Sequence, residues 1–79
     1  MITARQVRAA RALLGWSQLA LADRAIVSPN ALARLERGKV DSRMSTVEAV
    51  EEALVDAGIE FISADVKGEG VRLAKPASE

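Results

Sequence analysis

Apolar positions near the start of the chain recur at intervals of three and four. Val7, Ala10, Leu13 and Leu14 keep this spacing up to Gly15, and Thr3 stands three residues before Gln6 as in a capping box. The pattern predicts a helix over residues 4–14. Ser17 can cap a second helix over 18–25, in which Leu21, Ala22 and Ala25 share one face and Gln18 sits at the exposed amino end. A third helix starts at Ser28-Pro29, because proline has no N–H to lose at the first helical position and its φ is already helical; Gly38 ends it. Ser45 and Glu48 repeat the capping-box spacing, so a fourth helix is expected from Ser45 through Val47, Val50 and Leu54 to a stop at Gly58. Beyond Gly58 the pattern changes. Ile59 to Ser63 and Val71 to Leu73 are rich in strand-forming residues and flank Lys67-Gly68-Glu69-Gly70, which predicts a small hairpin. The fold class is therefore mainly α with a small C-terminal β-hairpin: a helical unit over 1–58, the hairpin over 59–74, and a polar tail over 75–79 expected to be disordered.

Composition narrows the chemistry. A chain of 79 residues, 49% hydrophobic, has room for one modest core. It has no His, Cys or Tyr, which removes the usual general base near neutral pH, the thiolate nucleophile and the zinc ligands. No enzyme, metal site or cofactor is expected, and no paired acids suggest a catalytic cleft. The absence of cysteine also removes any disulfide framework and suits a reducing cytoplasm. The longest uncharged stretch, Ala12 to Ala22, is well short of the roughly 20 apolar residues that cross a bilayer. With Arg5, Arg8 and Arg11 ahead of it, this stretch mimics a targeting signal, but Gly15-Trp16-Ser17-Gln18 interrupts it midway. The net charge of zero hides an asymmetry: residues 1–43 carry eight basic side chains against three acidic ones, and residues 44–79 the reverse. Such a dipolar chain can turn a local positive surface toward a polyanion; an uneven scatter of solvated charge would give the same counts.

Only Ile26-Val27 separates the second and third helices, the tight joint of a helix-turn-helix unit. At about 100° per residue, Ala31, Leu32 and Leu35 fall on one face of the third helix, and Asn30, Ala33, Arg34 and Arg37 on the opposite side. Asn can make two hydrogen bonds to an adenine edge and Arg two to guanine, while a small residue between them permits close approach to the groove. An ordinary solvated face with two arginines is the plainer reading.

The stretch Leu14-Gly15-Trp16-Ser17-Gln18, followed by Leu21-Ala22, Val27-Ser28, Leu32 and Leu35-Glu36-Arg37-Gly38-Lys39, resembles the Cro-and-repressor class of helix-turn-helix proteins, also called Xre-like. The resemblance covers about Val7 to Leu54. It implies a bundle of four or five helices that binds operator DNA, usually as a dimer. Gln18 matches the position that touches a phosphate and braces the recognition helix, and Ser28, Pro29, Asn30 and Arg34 match groove-facing positions. Arg37 and Lys39 match the loop along the DNA backbone, where charge serves affinity without reading sequence. Pro29 departs from the polar residue common there, so base readout is expected to rest on Asn30 and Arg34. Arg11 and Glu36 match an internal salt bridge, and Trp16 is expected to plug the core beneath the second and third helices.

Ile26 is the sharper departure. The family usually has glycine at this turn because the backbone takes a positive φ that Cβ disfavours. Either the turn is rebuilt, or it is strained by about 1–3 kcal/mol; the rebuilt turn is the expectation. Leu19 stands where relatives often carry charge and is open to a partner. The expected function is a sequence-specific transcriptional regulator of double-stranded DNA, a cytoplasmic homodimeric repressor on a palindromic operator, with the hairpin as a candidate dimerisation element. The alternatives are the antitoxin of a toxin–antitoxin pair, with a toxin as partner, and a protein-interaction module on the same fold.

Overall fold

The computed structural model describes residues 2–38, 43–63, 65 and 67–74. The element order is α1 (Ala4–Leu14), α2 (Gln18–Ala25), α3 (Pro29–Glu36), α4 (Met44–Asp56), β1 (Ile59–Ile62) and β2 (Gly70–Leu73). In α1 the capping box is complete: the Gln6 N–H donates to the Thr3 hydroxyl (3.2 Å) and the Thr3 N–H to Gln6 Oε1 (3.0 Å). The helix ends at Gly15, where φ is 69° and only a residue without Cβ rests without strain. Ser17 and Ser28 cap α2 and α3 through hydrogen bonds from the Ala20 and Ala31 N–H groups. These starts and stops agree with the spacing of apolar and capping residues.

The start of α4 differs from expectation. The helix begins at Met44, with Arg43 as N-cap and no side-chain cap. Ser45 lies inside the first turn, where its own backbone is helical and its hydroxyl cannot act as an N-cap. Packing sets this start instead: Val47, Val50 and Leu54 are buried, and the Val47 N–H closes the first turn on the Arg43 carbonyl at 3.1 Å.

The core joins all four helices and the hairpin. Val7 and Ala10 of α1, Leu21 of α2, Leu32 of α3, and Val50 and Leu54 of α4 are fully enclosed, with Ile2 and Ile59 sealing the amino end of α1 and the start of β1. Each such aliphatic side chain contributes roughly 1.5–3 kcal/mol through loss of apolar surface to water. β1 and β2 pair antiparallel, Ile59 opposite Leu73 and Phe61 opposite Val71. These four residues share the face turned toward the helices, where Ile59 is buried and Phe61 and Val71 are half-buried against the core. β2 packs on α1 and β1 on α4. Gln6, itself buried, donates from Nε2 to the carbonyls of Ile62 (3.0 Å) and Gly70 (2.9 Å), so one amide ties the last pair of the hairpin to α1. The tail over 75–79 and Lys39 lie outside the described residues.

Candidate nucleic-acid interface

The joint between α2 and α3 overturns the expectation of a rebuilt turn. Ile26 has φ 56° and ψ 49°, in the left-handed region, as a glycine would. Its N–H bonds to the Asp23 carbonyl (3.3 Å) and the Val27 N–H to the Ala22 carbonyl (3.0 Å). This is the bond pair of a Schellman motif, and it satisfies the last carbonyls of α2 while turning the chain into α3. The same two-bond pattern closes α1 at Gly15, from Gly15 to Ala12 and from Trp16 to Arg11. Leu21, Ala22 and Ala25 on one side and Leu32 and Leu35 on the other are buried together, so packing holds the joint although its residue is β-branched. The Ile26 side chain is 91% exposed and meets little of the core.

At the ends of α2 and α3 away from the joint lies a polar clamp. Glu36, 4% exposed, accepts two hydrogen bonds from Arg11: Nε to Oε2 at 2.8 Å and Nη2 to Oε1 at 2.9 Å. Gln18 Nε2 donates to Glu36 Oε1 at 3.0 Å. Arg11 Nη1 donates to the Trp16 carbonyl at 3.1 Å, and Arg8 Nη1 donates to the Glu36 carbonyl. One carboxylate thus fastens α1 and α2 to the end of α3, and Arg11 adds the α1–α2 link. Burial alone would raise the Glu36 carboxyl, but the hydrogen bonds from Arg11 and Gln18 and the charges of Arg11 and Arg8 hold it below its ordinary value. The hydrogen bond to Glu36 in turn raises Arg11, against the opposing effect of burial. Trp16 is half-buried against the core with the Arg24 guanidinium 4.6 Å from the centre of its ring, so the indole is engaged within the fold.

On the outer side, Gln18, Ser28, Pro29, Asn30, Arg34 and Arg37 are all exposed, and Ala33 is half-buried between Asn30 and Arg34. The Ser28 oxygen serves as cap acceptor, leaving its O–H free to donate outward. Pro29 occupies the first helical position and adds only van der Waals surface. Ser28, Pro29 and Asn30 thus stand at the amino end of α3 and Arg37 at its carboxyl end, where Gln18 of α2 also reaches through Glu36, while Lys39 falls outside the described residues. From the sequence Gln6 is read only as a helix cap and Arg8 only as one charge of the amino-terminal basic run. Their partners are backbone carbonyls of Glu36, Ile62 and Gly70, contacts between distant segments that residue type and spacing do not signal.

Among the described residues no group of acids could hold a metal ion, and no helix is long and apolar enough to cross a membrane. Compared with known proteins, the chain matches the model of the helix-turn-helix family over residues 7–54, from the first core valine of α1 to the last core leucine of α4. None of the curated proteins matches it.

Proposed function

The chain belongs to the Cro-and-repressor, Xre-like family of helix-turn-helix DNA-binding proteins, a family without catalytic activity, and from that membership we propose that it is a dimeric repressor of transcription, cytoplasmic, acting on a palindromic operator. The observation that carries this reading is the outer face of α3. Asn30 and Arg34 stand exposed on either side of a small residue, on a helix whose opposite face is locked by Leu32, Leu35 and the Arg11–Glu36–Gln18 clamp. A reading head must be rigid, because each hydrogen bond to a base edge is lost if the helix rocks by about an ångström. In this reading Asn30 and Arg34 contact base edges, and Ser28 and Pro29 lie against the groove wall. Gln18, Arg37 and Lys39 hold the phosphate backbone.

Binding to the DNA upstream of its own gene, compared with scrambled duplex at moderate salt, tests the reading. Arg34→Ala is expected to weaken the specific complex by about 1–3 kcal/mol and relax the preference at one base pair of each half-site, leaving binding to scrambled DNA nearly unchanged. Equal losses on both duplexes would take Arg34 out of the base-reading role.

A further inference from the structure

The hairpin has an open edge whose direction can be worked out. The Ala74 N–H donates to the Gly58 carbonyl at 2.7 Å, in the register that sets Glu60 opposite Arg72 and Ile62 opposite Gly70. In an antiparallel ladder hydrogen-bonded pairs alternate with non-bonded ones. Gly58 with Ala74, Glu60 with Arg72 and Ile62 with Gly70 therefore turn their N–H and C=O groups toward each other. The N–H and C=O groups of Val71 and Leu73 point away from β1, and among the described residues no backbone group outside the hairpin bonds to them. Beside this edge, between α1 and β2, runs a groove of about 460 Å³ walled by Arg5, Gln6, Ala9, Glu69, Gly70 and Val71. Leu73 lies on the helix-facing side of the sheet yet is 45% exposed.

We propose that this edge and groove take the β2 strand of a second copy of the chain, antiparallel about a two-fold axis at Arg72. This deepens the dimer reading above and rests on it only for the symmetry of the operator. The register follows from three constraints. Outward-pointing residues must meet outward-pointing residues, which restricts the axis to Val71, Arg72 or Leu73. An axis at Val71 sets apolar Leu73 against Glu69 of the second copy, and an axis at Leu73 sets Val71 against Lys75. Only the axis at Arg72 pairs Val71 with Leu73 twice over, saturating all four outward N–H and C=O groups with strand residues alone. Leu73 of each copy then lies beside Val71 of the other, on the side where the groove is floored by Ala9, and its exposed surface is covered. The one like-charge contact, Arg72 opposite Arg72, is offset because each guanidinium is already held by its own Glu60 at 2.5–2.6 Å. The solvent face of the four-stranded sheet thus carries a charge-balanced row. Such pairing also removes the exposed edge that a strand ending in Val71-Arg72-Leu73 leaves to unwanted partners.

The chain has no cysteine, so a single introduced one reports the register directly. Two residues facing each other in a non-hydrogen-bonded pair have Cα atoms about 4.5 Å apart, within disulfide reach. Arg72→Cys is expected to form a covalent dimer under mild oxidation, and Glu60→Cys, one strand away from the axis, is not. In sedimentation the full chain is expected to run as a dimer, and Leu73→Asp as a monomer that keeps its helical circular dichroism and its binding to a short non-palindromic duplex at low salt. A full chain that sediments as a monomer at every concentration reached, or equal cross-linking of both cysteine variants, overturns the proposal. If Arg72→Cys cross-links selectively but no form of the chain binds any duplex, the strand pairing stands and the DNA reading falls.

Discussion

At Ile26 a β-branched residue takes φ 56° with its side chain 91% exposed. The left-handed conformation costs an L-residue roughly 1–2 kcal/mol, and almost no burial offsets it. Glycine at this site would relieve that cost while adding about 0.4–1 kcal/mol of unfolded-state entropy. Ile26→Gly is therefore expected to raise stability, by up to about 1.6 kcal/mol on this difference, as read from urea denaturation. A fall would mean that the exposed isoleucine packs against something the isolated chain lacks. Glu36 offers the opposite case, a residue whose removal strands its partners. Glu36→Ala is expected to cost roughly 3–5 kcal/mol because it leaves Arg11 facing a void. The pH dependence has a definite sign. The folded carboxyl titrates below the ordinary 4.5, so its stabilisation is fully present above that pH and is lost as pH falls through the lower folded value. The acid limb of a stability–pH curve should accordingly flatten in Glu36→Gln, and an unchanged limb would show that other carboxylates set it.

At the scale of elements, the hairpin depends on α1 more than on its own turn. A two-stranded hairpin is marginal alone in water. Here Ile59 is buried in the common core, and Gln6 binds the Ile62 and Gly70 carbonyls while capping α1 through Thr3. Gln6→Ala removes the donor to two carbonyls and half of a capping box, for an expected loss of about 1–3 kcal/mol. Hydrogen exchange should place that loss in both α1's first turn and β1–β2, together. Protection lost from α1 alone would show the hairpin to be held by Ile59, Phe61 and Val71 without the amide. The same coupling means that a chain cut after Gly58 loses core as well as an edge, so point changes on β2 test the proposed dimer more cleanly than truncation.

For the whole molecule, zero net charge is a poor guide to affinity for a polyanion. The exposed Arg34 and Arg37 stand on the α3 side, while Glu48, Glu52, Asp56 and Glu60 are exposed on α4 and β1. Counterion release depends on the phosphates contacted, not on the net charge. Binding is thus expected to weaken roughly tenfold or more between 50 and 200 mM salt. Arg37→Ala should lower the slope of log K against log salt by about 1 and leave sequence preference intact. A salt-independent complex, measured by fluorescence anisotropy, would rule out a phosphate-tracking role for this side.

Read alone, the sequence determined the start and stop of α1 and the starts of α2 and α3, because Thr3, Gly15, Ser17, Ser28 and Pro29 act through bonds and dihedrals within a few residues of themselves. It also determined which face of α3 is outward, since a helical period places Asn30 and Arg34 opposite Leu32 and Leu35 whatever surrounds them. The Arg11–Glu36 pair was legible only through family resemblance, as nothing local links residues 25 positions apart. Tertiary structure decided the rest. It drew α4 back to Met44 to suit the burial of Val47, and it made Gln6, besides a helix cap, the tie of the hairpin. At Ile26 it imposed the left-handed turn, since the burial of Leu21, Ala25, Leu32 and Leu35 in one core outweighs the roughly 1–2 kcal/mol by which a single β-branched residue resists that conformation.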